Sequence, residues 1–279
     1  MRNTHFYQQW SQDAFIEFME HYSFMDSWSN WLLELLLLVL FVASVKIDIR
    51  QKRLSAMSFG FVALLGINLA AAGTHGIELT PSLSLLAKDI AYINFTLLGF
   101  ASLFFEFFVL QRVSLLRQEG FTAFERFPFR WVTFFVLLFF FVFQLFNWFA
   151  REKPSFLYAV IDYGASLVMM AAISFYVLIV TSTKISDNKN FRSGDKFDRR
   201  FEIYTLFSIS CFVFATFNLT SSLLTRLLHH NLGISLNNVD LYHLLLLPGF
   251  LMLFKAKLHE RQSIIRPKYT EFALNEAAG

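Results

Sequence analysis

Seven apolar stretches, separated by short polar segments, organise this chain. Each is about 20 residues long, which is what a helix rising 1.5 Å per residue needs to cross about 30 Å of hydrocarbon. The pattern therefore predicts an all-α integral membrane bundle of seven transmembrane helices. The predicted spans are Trp28–Ile47, Leu54–Ala72, Asp89–Leu110, Phe129–Ala150, Tyr158–Thr181, Glu202–Leu224 and Asp240–Leu258.

The spans divide the chain into three regions. Residues 1–27 are polar, with apolar and aromatic residues at spacings of three and four. This spacing predicts a short amphipathic helix at the outer interface, or alternatively a lid on the mouth of the bundle. Residues 28–258 form the transmembrane domain and residues 259–279 a cytoplasmic tail. The sequence predicts that the segment 111–130 is an amphipathic loop on the inner membrane surface. It predicts that the stretch 184–200 is a polar inner loop.

The lysines and arginines are distributed unevenly between the polar segments. If the N-terminus lies outside, nineteen of the 24 fall in inner segments. Positive charge resists translocation, so this asymmetry predicts an N-terminus outside and a C-terminus inside. The basic residues of the outer segments are Arg2, Lys88, Arg151, Lys153 and Arg226.

The composition, with 56% hydrophobic residues and 37 phenylalanines, leaves no room for a soluble catalytic domain between the spans. Phosphate-loop, HExxH and GxSxG motifs are absent from the sequence, so it predicts neither an enzyme nor a cofactor. The single cysteine, Cys211, excludes an intrachain disulfide and a multi-cysteine metal site. The sided charge suggests membrane lipids, in particular anionic lipid, or a cytoplasmic protein as partners, and no nucleic acid.

Polar side chains are costly to bury in hydrocarbon, so their positions within the spans are informative. In this chain they fall mainly in the predicted outer halves of the spans. Their one-sidedness predicts an outward-facing polar and aromatic cavity for a small ligand. For any one amide, an interhelical hydrogen bond that holds the bundle is the simpler explanation. The candidate ligand-binding residues are Asn94, Gln144, Asn147, Asp162, Asn218, Asp240 and His243, and none of them forms a metal-spaced set.

Two charged residues at the predicted inner face are candidates for a conformational switch. Arg112 follows the third span and Glu202 begins the sixth. An ion pair between them could hold a closed state that breaks on activation. The alternative, favoured on sequence alone, is that Glu202 pairs locally with the adjacent Arg199 and Arg200 in a surface ion pair.

The layout resembles the serpentine, G-protein-coupled type of membrane receptor, and is loosely similar to divergent nematode chemoreceptors. The local similarities are Gln111–Arg112–Val113 after the third span, the basic loop that runs into Arg200–Phe201–Glu202 at the start of the sixth, and Leu247–Pro248 ahead of Phe254–Lys255 in the seventh. Gln111 stands where that family usually has an acidic residue. The resemblance implies a plasma-membrane receptor that signals to a cytoplasmic partner.

Two other functions stay open. The phenylalanine-rich spans and the lack of catalytic residues also suit a non-catalytic structural or accessory subunit of a larger membrane complex, packed against other membrane subunits. A channel or transporter is a third possibility, because apolar residues alone can close a gate.

Overall fold

The computed structural model describes residues 28–75, 81–149, 156–183, 196–221, 223–233, 238–262 and 264–265. The predicted helix in residues 1–27, and most of the predicted tail and of the 184–200 loop, lie outside these ranges. The described helices are α1 Trp28–Gln51, α2 Ala56–His75, α3 Pro81–Gln118, α4 Phe129–Phe149, α5 Phe156–Thr183, α6 Arg200–Ser221, α7 Leu223–Leu232 and α8 Asn238–His259. A 3₁₀ turn at Thr122–Phe124 and the strands β1 Lys196–Phe197 and β2 Ile264–Ile265 complete the described elements.

Five of the described helices are long and apolar enough to cross a membrane. This confirms a helical, multi-pass membrane protein. The spanning segments are Tyr92–Gln118 of α3, Phe129–Phe149 of α4, Ile161–Thr183 of α5, Arg200–Leu219 of α6 and Asp240–His259 of α8. In α2 the continuous apolar part is shorter, at Ala56–Ile67.

Six helices pack in a closed ring, in the order α1, α2, α3, α5, α6 and α8, and α8 returns to α1. Helix α4 lies outside this ring, mainly against α3. Phenylalanine and tryptophan side chains make up much of its exposed surface. Only one stripe of α4 is buried, at Val136, Phe140, Phe143 and Asn147, a spacing that places these residues on one face of the helix.

Two glycines let helices in the ring approach closely. A Cβ atom on Gly249 of α8 would lie 2.5 Å from a ring carbon of Phe212 on α6. A Cβ atom on Gly60 of α2 would lie 2.6 Å from the ring of Phe105 on α3. Each phenylalanine therefore packs directly against the backbone of the neighbouring helix.

Helix α3 continues to Gln118, past the predicted span end at Leu110 and into the predicted surface loop. Its last turns keep a helical pattern, with Val113 and Leu116 buried and Arg117 exposed. The helix ends at Gln118, and Gly120, two residues later, has a φ of 89°. The Gly120 N–H donates to the Arg117 carbonyl and the Phe121 N–H to the Leu116 carbonyl, which is the hydrogen-bond pattern of a Schellman C-cap.

The end of the described chain forms a strand, which the all-α prediction did not include. Strands β1 and β2 pair antiparallel, with Lys196 opposite Ile265 and Phe197 opposite Ile264. The polar segment that enters α6 and the segment that leaves α8 are thereby tied to each other. The sixth spanning helix also ends earlier than predicted, because α6 ends at Ser221 and α7 is a separate helix.

Candidate functional site at the basic end of the bundle

One end of the ring collects most of the charged residues of the described chain. At this end, here called the basic end, α1, α3 and α8 finish while α2 and α6 begin. Exposed arginines and lysines surround it. Several charged side chains are nevertheless buried inside it: Asp48, Arg112, Asp198, Glu202, Lys257 and Glu260.

Arg112 of α3 and Glu202 of α6 form a buried ion pair. Arg112 Nε donates to Glu202 Oε1 at 3.0 Å, and both side chains are 1% exposed. The structure thus joins the two candidate switch residues, and the local pairing of Glu202 that the sequence favoured is not observed. Burial explains the choice, because Glu202 faces the ring interior while Arg199 and Arg200 face outward.

The guanidinium of Arg112 also binds three backbone carbonyls. Nη1 donates to the Glu260 carbonyl at 2.6 Å, and Nη2 donates to the Asp198 carbonyl at 3.2 Å and the Gln262 carbonyl at 3.4 Å. Its carbon Cζ lies 5.2 Å from the ring centroid of Phe201 and 5.6 Å from that of Phe197. One side chain of α3 therefore connects α6, the segment before α6 and the segment after α8.

Asp198, two residues before α6 begins, organises the outer layer of this junction. Its carboxylate accepts hydrogen bonds from the Arg200 backbone N–H at 3.0 Å and from Arg200 Nη2 at 2.8 Å. His259 Nδ1 lies 3.5 Å from the same carboxylate. Burial alone would raise the pKa of Asp198, but the hydrogen bonds and charge of Arg200 outweigh it and hold the pKa below its ordinary value of 3.8.

Lys257 of α8 is the centre of a second buried cluster, between α1, α2 and α8. Its Nζ lies 2.7 Å from Asp48 Oδ1, 2.6 Å from Ser44 Oγ and 2.5 Å from Ser55 Oγ. The other carboxylate oxygen of Asp48 accepts from the Ser55 N–H at 3.0 Å and from Ser58 Oγ at 2.6 Å. Every charge in the cluster is paired, as burial in a low-dielectric interior requires.

Glu260 follows α8 and lies beside both clusters. Its side chain is buried and its Oε1 atom has no hydrogen-bond partner in the described chain. Burial raises the pKa of Glu260 above its ordinary value of 4.5, while the charges of Arg53, Lys257, Arg261 and Arg112 act in the opposite direction.

At the opposite end of the bundle the predicted ligand residues separate into several groups. Gln144 and Asn147 bind α4 to the outer surface of α3. Gln144 Nε2 donates to the Thr96 carbonyl at 3.4 Å, and Asn147 Nδ2 donates to Thr96 Oγ1 at 3.1 Å. These contacts are the interhelical bonds of the alternative interpretation. Asn94, also on α3, is half-buried, and its Oδ1 atom has no hydrogen-bond partner among the described residues.

Asp240 and His243 of α8 come together at Ser29 of α1. The Ser29 hydroxyl donates to Asp240 Oδ1 and lies 3.1 Å from His243 Nδ1. Asn218 has a different role, because its Oδ1 accepts the Leu224 N–H at 3.0 Å and so caps the beginning of α7.

Asp162 of α5 is 2% exposed and lies one helical turn before Ser166. The Ser166 hydroxyl donates to Glu106 Oε1 of α3 at 2.7 Å, which brings Asp162 and Glu106 to the same contact between α3 and α5. Asp162 Oδ2 has no hydrogen-bond partner in the described part of the chain. The ligand-binding role of all seven predicted residues stays a prediction.

Sequence reasoning missed Asp48, Lys257 and the serines between them. The signal was present, because Ser44 and Asp48 are four residues apart at the end of an apolar run and therefore share a helix face. The pairing of that face with Lys257, 209 residues later in the chain, had no local signal.

Comparison with known protein families, curated proteins and solved structures finds no match to this chain. Within the described ranges, no group of three or more His, Cys, Asp or Glu side chains is arranged to hold a metal ion.

Proposed function

We propose that this protein is a seven-helix membrane receptor whose cytoplasmic face is held closed by the buried pair of Arg112 and Glu202. The pair carries the proposal because it joins two helices of the ring at the end where a cytoplasmic partner would bind. A buried ion pair is a poor source of stability compared with apolar packing, but its geometry is specific and it can exist in two discrete states.

The basic end fits the cytoplasmic side. With α1 to α6 and α8 as the seven spans and the N-terminus outside, this end carries the arginine- and lysine-rich segments, as the positive-inside rule requires. A tag inserted after Gly279 should then be accessible only in permeabilised cells, and a tag before Met1 in intact cells. The reverse accessibility would contradict the orientation and the receptor proposal with it.

Helices α1 and α8 give a route from an outer ligand to the basic end. They are joined near one end by Ser29 with Asp240 and His243, and near the other by Asp48 with Lys257. A ligand that binds Asp240 or His243 competes with Ser29 and shifts α8 relative to α1. Such a ligand changes the state populations only as far as it prefers one arrangement.

The functional test uses variants that replace a charged side chain by glutamine. Glu202→Gln keeps the shape of the side chain but weakens its bond to Arg112, so the open state should be more populated. We expect mild-detergent purification from native membranes to recover a monomer or dimer, and Glu202→Gln to retain more cytoplasmic signalling protein than the native chain. Arg117→Gln, an exposed change on α3, is the matched control and should retain the native amount.

The ligand site is tested separately. Asp162→Asn combined with Asp240→Asn should abolish a ligand response while surface expression stays intact. An unchanged response would exclude these carboxylates as ligand-binding residues without affecting the switch at the basic end.

A second candidate function, a subunit of a larger membrane complex, is favoured by the surface of α4. This helix lies outside the ring and exposes Trp131, Phe134, Phe141 and Phe149, which are between 52% and 74% exposed. Broad aromatic faces pack well against other helices. Recovery of the chain only within a large assembly of membrane subunits, and its instability when expressed alone, would favour this function over the receptor.

A further inference from the structure

A cleft of about 330 Å³ opens between α2 and α3 at the basic end. It has two chemically different parts. One part is polar and contains Arg53, Gln111 and Ser114, while the other is apolar and aromatic. The volume is at the lower end of the range for small-molecule sites.

The apolar part is a wall of phenylalanine rings. Phe59 of α2 stacks on Phe104 of α3 with ring centroids 5.3 Å apart and planes inclined by 28°. Phe107 and Phe129 extend the wall. Phe59 is 43% exposed and Leu54, at the entrance, is 67% exposed. The cleft is therefore open on the side of the bundle that faces the membrane, where its apolar surface has the chemistry of an acyl-chain contact.

The polar part carries positive charge. The Gln111 oxygen accepts the Ala56 N–H at 3.4 Å, which fixes the amide at the rim of the cleft with its NH₂ group as a donor. Arg53 is half-buried beside it. Exposed cations follow in the same segments, and they outnumber the nearby carboxylates of Glu119, Glu125 and the buried Glu260, on which the charge of Arg53 also acts. These cations are Arg50, Lys52, Arg117, Arg126 and Arg130.

We infer that this cleft binds one anionic phospholipid. The phosphate interacts with Arg53 and hydrogen-bonds to Gln111 and Ser114, while an acyl chain lies along Phe59 and Phe104. A soluble anion would use the polar rim but not the exposed aromatic wall, and a zwitterionic lipid would use the wall but gain less from the surrounding cations. This inference goes beyond the proposed receptor function and does not depend on signalling.

The test is native mass spectrometry of the purified full chain. Dioleoylphosphatidylglycerol and dioleoylphosphatidylcholine are titrated separately in the same detergent. We expect the native chain to bind one phosphatidylglycerol molecule more tightly than any further copy, and more tightly than phosphatidylcholine. Arg53→Ala should weaken the first phosphatidylglycerol site about fivefold, the usual contribution of one basic residue near an anionic membrane surface.

Two further variants separate the cleft from diffuse electrostatics. Ser114→Phe fills the cleft without changing any charge and should remove the tight site. Arg199→Ala removes an exposed cation at the basic end but outside the cleft, and should leave the tight site unchanged. The thermal unfolding midpoint of each variant shows that it is folded, and Ser114→Phe still decides the question if Arg53→Ala does not fold.

Three outcomes would overturn the inference. Equal losses in Arg53→Ala and Arg199→Ala would mean that the whole basic surface attracts lipid without a site. If Ser114→Phe bound the first phosphatidylglycerol as tightly as the native chain, the lipid would lie elsewhere. Equal affinity for the two lipids would mean that the cleft does not select for anionic headgroups. None of these outcomes affects the proposed receptor function.

Discussion

Lys257 of α8 and Asp48 of α1 form an ion pair of 2.7 Å in which each side chain is only 1% exposed. They lie at the basic end, while Ser29, Asp240 and His243 connect the same two helices near their other ends. Polar contacts near both ends restrict sliding of α8 along α1. A movement of one helix along the other must therefore break these buried hydrogen bonds or exchange their partners.

Removal of the Lys257 charge should strongly destabilise the bundle. Lys257→Met leaves Asp48 buried without a cation, a change that costs about 3–5 kcal/mol of unfolding free energy. The measurement is unfolding by sodium dodecyl sulfate in mixed micelles, followed by tryptophan fluorescence. Lys255→Met is the control, because Lys255 is exposed on the same helix and contacts only the ring of Tyr204 among the interactions described. Equal effects of the two changes would contradict the buried pair.

The double variant Lys257→Met with Asp48→Leu refines this prediction. Replacement of both charges removes the unpaired carboxylate, so most of the lost unfolding free energy should return. A double variant that is as unstable as Lys257→Met alone would show that the serine hydroxyls, rather than the charge pair, hold α1, α2 and α8 together.

A lysine should not replace Arg112. Arg112→Lys keeps the charge but loses the planar guanidinium, which reaches Glu202 and three carbonyl groups at once. We expect a lower unfolding free energy, together with faster proteolysis at Arg261, since the Glu260 and Gln262 carbonyls lose their donor. Arg117→Lys, on the exposed side of α3, should change neither quantity. If Arg112→Lys were cleaved at Arg261 at the native rate, the pairing of β1 with β2 alone would hold the segment after α8.

The sequence predicted the positions of the helices well because the length of an apolar run is a local property of the chain. The fourth span at Phe129–Ala150 matches α4 almost residue for residue. The end of α3 was predicted too early, because the charged residues after Leu110 suggested a loop. The segment is in fact the last part of the helix, with its apolar residues buried and its charged residues partly exposed. The spanning helices required only composition, whereas their ends depended on tertiary contacts such as those of Arg112.

The candidate site was predicted less completely. The positions of Arg112 and Glu202 at matching ends of two spans were enough to suggest their pairing. Asp198 and Glu260 could not be found in this way, because Arg112 binds their backbone carbonyls, and any residue type supplies a carbonyl. The position of α4 outside the ring was also not visible in the sequence, so Gln144 and Asn147 were placed in one set with residues of the ring.

The hydrogen bonds between Asp198 and Arg200 should give the protein a dependence on acidic pH. Because the pKa of Asp198 lies below 3.8 in the folded chain, its stabilising contribution is complete above pH 3.8 and is lost as the pH falls through the folded-state pKa. The difference in unfolding midpoint between the native chain and Asp198→Asn should therefore be constant at neutral pH and shrink at the acidic end. Arg200→Ala should abolish or reverse this dependence, because burial then acts on the Asp198 carboxyl without the Arg200 guanidinium. With Arg200 present, a difference that does not change with pH would contradict the prediction.

The contact of Gly249 with Phe212 should make the interface of α6 and α8 sensitive to a single methyl group. The Cβ atom in Gly249→Ala would lie 2.5 Å from the Phe212 ring, so the ring or the helix must move, at a cost of about 1–3 kcal/mol. Gly164→Ala on α5 is the matched control, because its Cβ atom would meet nothing within 4 Å. There the better helix propensity of alanine should leave the stability equal or raise it by up to about 1 kcal/mol.

The two glycine variants should therefore differ in stability, and the difference has a physical reason. Both gain the same methyl group and both lose the same backbone freedom, so any difference between them comes from the neighbouring side chains. Unfolding midpoints in the same detergent measure it directly. Equal midpoints would mean that Phe212 can turn away at no cost, for instance toward Tyr163, whose ring centroid is 6.0 Å away. In that case the packing of α6 against α8 would not resist the movement of α8 on which the proposed receptor function depends.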